Sequence, residues 1–123
     1  MCGIVGLFLK DKSLEPQLGA LLAGMLVTMT DRGPDSAGIA IYSNETKDQS
    51  KIVVQSDTPE VDFDGLEAAL SKASGVTVGM YVSSTHAVLS VPNGSIDAVR
   101  TAIAAVNPAL RIMSRGDTLE IYK

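Results

Sequence analysis

The chain has one cysteine, no tryptophan and only five aromatic residues, three tyrosines and two phenylalanines, in 123 positions. A lone cysteine excludes an internal disulfide, so the fold must rest on burial and hydrogen bonding. No basic cluster accompanies the aromatics and the net charge is −4, which together argue against a nucleic-acid partner. No apolar run approaches the ~20 residues that would span a bilayer, so a membrane role is not expected. The first basic residue is Lys10, behind the apolar opening rather than before it, which excludes a secretory signal. Glycine stands at position 3, not at the position 2 that myristoylation requires, and lipidation of Cys2 would have no polybasic support. The acids Asp57, Glu60, Asp62, Asp64 and Glu67 lack the alternation and glycine of a calcium loop, so neither a metal nor another cofactor is expected. The cytoplasm is the expected compartment.

What is present begins at the first residues. Once Met1 is trimmed, Cys2 becomes the first residue of the string Met1-Cys2-Gly3-Ile4-Val5-Gly6. An α-amine of pKa ~7.7–8.0 beside a thiol of ~8.5 can accept the proton that a nucleophile must lose, without a separate histidine. The simpler alternative is a short buried strand in which the free cysteine is a small core residue. A second string, Asp31-Arg32-Gly33-Pro34-Asp35-Ser36-Ala37-Gly38, lies where a helical pattern stops and a strand-like one begins, and reads locally as a helix-to-strand connector.

Taken together, the Cys-Gly-Ile-Val-Gly opening and the Arg-Gly-Pro-Asp-Ser-Ala-Gly string at their separation resemble the class II glutamine amidotransferases, which are N-terminal-nucleophile hydrolases. The resemblance covers residues 1–43, and its wording is closest to the glutamate-synthase-like amidotransferase subunits. It implies that Cys2 attacks the glutamine side-chain amide to form a γ-glutamyl thioester and release ammonia. It also implies that Arg32, Gly33, Asp35 and Ser36 form a loop supporting the nucleophile, through a guanidinium and the N–H groups of a turn. The bland alternative for Arg32 and Asp35 is a local surface ion pair worth ~0–1 kcal/mol. Glutamine is the implied substrate, and a synthase or glutamate-synthase-like subunit the implied partner.

The family's Gly-His-Thr-Arg segment is absent: His86 is followed by Ala87 and Val88, and reads as a strand-edge or core histidine. Asn93-Gly94 could be taken for the family's oxyanion pair. However, Pro92 replaces the expected histidine and Ser95 opens a helical pattern, so a turn and helix cap explain it better. Losing one oxyanion donor costs ~10²–10³ in rate, so the isolated chain should have little activity. It reads as a fragment or split subunit, whose half-built sandwich predicts oligomerisation.

The expected fold class is α+β, a partial αββα N-terminal-nucleophile element with an inserted ferredoxin-like βαββαβ unit. Residues 1–50 give strand, helix, strand: apolar 2–9, a core stripe of Leu14, Leu18, Leu21, Leu22, Met25, Leu26 and Met29 capped at Ser13, then 37–42. Residues 51–115 give a strand at 51–55, a helix marked by Phe63, Leu66, Leu70 and Ala73, and strands at 76–82 and 87–91. A helix from Ile96 to Val106, stopped by Asn107-Pro108, and a strand at 109–114 follow. The acids before Leu66 are expected to cap that helix and complement its dipole. Residues 116–123 turn at Arg115-Gly116-Asp117 and return as a strand to the first domain. The alternative to an amidotransferase half is a non-catalytic module that binds a small molecule or assembles subunits.

Overall fold

The computed structural model describes residues 3–33, 35–42 and 47–123. They divide into two units, Met1–Ala37 and Gly38–Lys123.

In the first unit Asp11 Oδ1 accepts the Ser13 N–H at 2.9 Å and caps a 3₁₀ segment, Lys12–Gln17. Asp11 is therefore the cap, and Ser13 supplies the N–H. α1 (Leu18–Val27) follows, then a second 3₁₀ turn, Thr30–Arg32. The single expected helix splits because Pro16 lacks an N–H and disfavours the α conformation at Glu15 before it. The expected core stripe is not buried: α1 buries none of its residues, and Leu21 is 42% exposed. α1 carries no charge on any side, and a helix apolar all round needs neighbours on several sides to be covered. The strand expected at 2–9 also fails over its described part. Residues 3–9 have no regular structure, because a strand exists only through its ladder and their own unit holds no described strand to pair with.

The second unit opens with β1 (Ile39–Tyr42) and β2 (Gln49–Gln55), followed by the short α2 (Pro59–Asp62) and α3 (Leu66–Ser74). β3 (Gly79–Ser83), β4 (His86–Pro92), α4 (Ile96–Val106), β5 (Arg111–Gly116) and β6 (Leu119–Tyr122) complete it. Four strands form an antiparallel sheet in the order β3-β4-β2-β5, while β1 and β6 pair as a separate antiparallel ribbon. The architecture is mixed α+β with antiparallel sheets.

Strand alternation places Ile52, Val54, Ala87, Leu89 and Val91 on one face, where they share a core with Leu66 and Leu70 of α3 and Val99, Ala102 and Ile103 of α4. The opposite face carries Lys51, Val53, His86 and Val88. Val53 is fully buried there although it lies outside the helix-side core, because β6 packs across β2 and β5. Opposite β2, Val53 faces Ser114 and Val54 faces Ile112, so Met113 is an extra residue that bulges β5.

The ends of α3 and α4 follow local chemistry. Gly75, at φ 73°, terminates α3 with its N–H bonded to the Ser71 carbonyl; this left-handed conformation is disfavoured for any residue with a Cβ. α4 stops at Val106, as Asn107-Pro108 requires. The expected acidic capping of α3 is corrected in part. Gly65 precedes α3 without a side-chain cap, Asp57 pairs with Arg111, and Asp62 turns to other donors, leaving Glu67 in the first turn. The reason is competition: better-placed hydroxyl, amide and guanidinium donors take these carboxylates.

Candidate functional site

Cys2 lies outside the described residues, as does Pro34; the rest of the expected site is described. Arg32 ends the Thr30–Arg32 turn, its N–H donating to the Met29 carbonyl at 3.0 Å, and Gly33 N–H donates to the Thr30 carbonyl at 3.3 Å. Asp35 and Ser36 follow in irregular, exposed chain. Among the described residues no ion pair joins Arg32 to Asp35, so the local-pair alternative is not what holds this turn.

The informative contact is at Gly3, the neighbour of Cys2. A Cβ built there would lie 2.1 Å from Met29 Cε and 3.6 Å from Arg32 Cβ. The opening segment and the Arg32 turn thus meet at a point that admits no side chain unless Met29 moves. Two sequence strings some thirty positions apart are brought together by α1 and its turns.

In the second unit, Asn93 is committed to structure. Its Nδ2 donates to the Lys47 carbonyl at 3.2 Å, its backbone N–H donates to the Asp48 carbonyl at 3.2 Å, and its Oδ1 lies 3.0 Å from Ser50 Oγ. The turn reading of Asn93-Gly94 is the one observed. Ser95 precedes α4 but makes no side-chain cap bond. Asp62 accepts from Ser56 Oγ, from Thr58 Oγ1 at 2.9 Å and from Asn107 Nδ2 at 2.9 Å. These donors, Ser56 first, hold its carboxyl below the usual carboxylate range.

Sequence reasoning missed a polar network between the ribbon and the sheet. Lys51 Nζ meets Glu120 Oε1 at 2.6 Å, and the Tyr122 hydroxyl donates to Glu120 Oε2 at 2.7 Å. Burial and the adjacent Glu120 carboxylate push the Tyr122 phenol up to about 12. His86 is buried at the start of β4, its ring 5.4 Å from that of Tyr122 at 57°, and burial lowers its pKa. Its Nε2 accepts the Lys123 N–H at 3.1 Å, and its Nδ1 lies 3.1 Å from Thr85 Oγ1. The signal was a charged residue, Lys51, directly before the apolar run Ile52-Val53-Val54 of β2, and an acid, Glu120, between Leu119 and Ile121 of β6. Among the described residues no group of three or more histidine, cysteine or acidic side chains could hold a metal ion. No described helix is long and apolar enough to cross a membrane.

The glutamine amidotransferase-like protein GlxB of Rhizobium meliloti (strain 1021) is 56% identical over 123 residues, 100% of this chain and 40% of that protein. These relatives support a glutamine amidotransferase family. The second is a protein named as a glutamine amidotransferase in Methanothermobacter thermautotrophicus (strain Delta H), 52% identical over 42 residues, 34% of this chain and 13% of that protein. The chain therefore spans well under half the length of either relative. No family model matches the chain, and no solved structure matches it.

Proposed function

We propose that the chain is the nucleophile-bearing part of a class II glutamine amidotransferase. The likeness to GlxB over the whole chain carries this reading. With Met1 removed, the Cys2 thiol gives its proton to its own α-amine, and the thiolate attacks the carboxamide carbon of glutamine. A C–S bond forms, the C–N bond breaks and nitrogen leaves as ammonia with the transferred proton. Water then cleaves the γ-glutamyl thioester to glutamate and restores the thiol. Arg32, Gly33, Asp35 and Ser36 support the nucleophile, and the packing of Gly3 against Met29 and beside Arg32 favours that role.

Residues 51–115 are read as a ferredoxin-like insertion within an N-terminal-nucleophile domain contributed by 1–50 and 116–123. The strand order β3-β4-β2-β5, with helices between β2 and β3 and between β4 and β5, supports the first part. The pairing of β6 with β1 supports the return of the last segment. A synthase or glutamate-synthase-like subunit consumes the ammonia, the assembly is oligomeric, and its setting is the cytoplasm.

The test is labelling by a glutamine-analogue electrophile in the presence of the region or subunit that completes the site, with intact-mass and peptide analysis. The expected result is a chain that starts at Cys2 and carries one adduct there. A blocked or Met1-bearing chain that still releases ammonia from glutamine overturns the mechanism. A Cys2-initiated chain that neither reacts nor hydrolyses glutamine favours the non-catalytic assembly module.

A further inference from the structure

The β1–β6 ribbon shares no backbone ladder with the four-stranded sheet among the described residues; side chains fasten it. Ser114 Oγ donates to the Leu119 carbonyl at 3.3 Å and accepts the Ile121 N–H at 3.2 Å, and Lys51 pairs with Glu120. Ser50 Oγ donates to Asp117 Oδ1 at 2.7 Å, β6 covers Val53, and His86 adds a further fastening, its ring tilted against that of Tyr122 and its Nε2 accepting the Lys123 N–H. Of these groups only an imidazole ordinarily changes charge between pH 5 and 8. We propose that His86 is a proton-operated latch that holds the β1–β6 ribbon against the sheet while neutral and releases it when protonated.

The geometry sets the tautomer. An N–H aimed at Nε2 can be accepted only by an unprotonated nitrogen, so the proton sits on Nδ1, facing Thr85 Oγ1. A second proton on Nε2 would point one donor at another and place a charge in a buried site. The surrounding groups offer it little relief. Gln55 of β2 and Ser83 of β3 lie opposite His86 in register, Tyr122 meets its ring from β6, Thr85 precedes it and Lys123 donates to it, while Glu120, with its partner Lys51, and Tyr81 bear on Tyr122. Glu120 is the one acidic side chain among these described residues. Its two oxygens are engaged by the Lys51 ammonium and the Tyr122 hydroxyl, which stays protonated across this range.

The sign follows from linkage. The folded imidazole binds its proton less readily than the unfolded one, so its contribution is complete above the ordinary histidine value of about 6.5. It is lost as pH falls through the lowered folded value. Ribbon release requires less than global unfolding, because the sheet and its helix-side core stay intact. Nothing in the latch depends on the amidotransferase chemistry, and its test does not read activity.

The experiment is nuclear magnetic resonance on the chain from pH 8 to pH 5, following the His86 ring nitrogens and amide hydrogen exchange corrected for its intrinsic pH dependence. The expected result is a neutral Nδ1–H ring at pH 8. Exchange at Ile121, Tyr122 and Lys123 should then accelerate at least tenfold with the midpoint of His86 titration, while Val53 and Leu89 stay protected. His86→Gln, which does not titrate, should abolish the step. An Nε2–H ring at pH 8, a flat wild-type profile, or a step that survives in His86→Gln each overturns the latch.

Discussion

The two units have similar apolar endowment and opposite outcomes. In Met1–Ala37 the leucines and methionines of α1 remain unburied, and Ile4 and Phe8 are 94% and 85% exposed. In Gly38–Lys123 the central strands β2 and β4 are covered on both faces, and Leu70 of α3 is fully buried. Hydrophobicity alone does not make a core. What separates the units is partnership: α3 and α4 are apolar along one stripe that meets the sheet, and β2 and β4 carry consecutive apolar residues covered on both faces, whereas α1 is apolar everywhere and its unit holds no described strand.

The sharpest break in this contrast would be functional. Cys2→Ala is expected to lower glutamine hydrolysis about 10⁴-fold or more in the completed enzyme, measured as ammonia release, while leaving the urea unfolding of the second unit unchanged. Smaller but more diagnostic of the packing, Leu70→Ala should cost ~2–5 kcal/mol in urea unfolding, because the cavity lies inside a closed core. Leu21→Ala should stay within ~0.5 kcal/mol. Equal losses would erase the distinction between the units.

Glycine substitutions should even differ in sign. Gly75→Ala forces a Cβ into a left-handed residue and should cost ~1–2 kcal/mol of second-unit stability. Gly24→Ala places its Cβ in open space within α1 and should raise helicity by ~1 kcal/mol, read by circular dichroism. Least of all, Arg111→Ala removes an exposed pair with Asp57 and should shift stability by ~0–1 kcal/mol, an effect that vanishes in high salt.

The same contrast explains what was legible. Ile96, Val99, Ile103 and Asn107-Pro108 delimit α4 because local spacing and a proline suffice. The strands at 51–55 and 87–91 were visible as short apolar runs, and both fall within β2 and β4. The strand expected at 2–9 was not assured by its residues, since Ile4, Val5 and Leu7 are strand formers that still require a neighbouring edge. Similarly, the contact between Gly3 and the Arg32 turn follows from how α1 carries the chain back, which no single string encodes. The Lys51–Glu120–Tyr122 network depends on β6 pairing with β1 rather than extending the larger sheet, a choice governed by distant partners.

Asp62 has a consequence for how the second unit opens. The connection leaving β2 and the one entering β5 run through different parts of the sequence, yet Ser56, Thr58 and Asn107 all donate to this one carboxylate. Ser56 and Thr58 hold Asp62 from within its own connection, and Asn107 ties the other to it, so parting the two leaves the Asn107 amide stranded. That one bond couples the opening of the two crossovers, so fraying of either weakens the hold on the other.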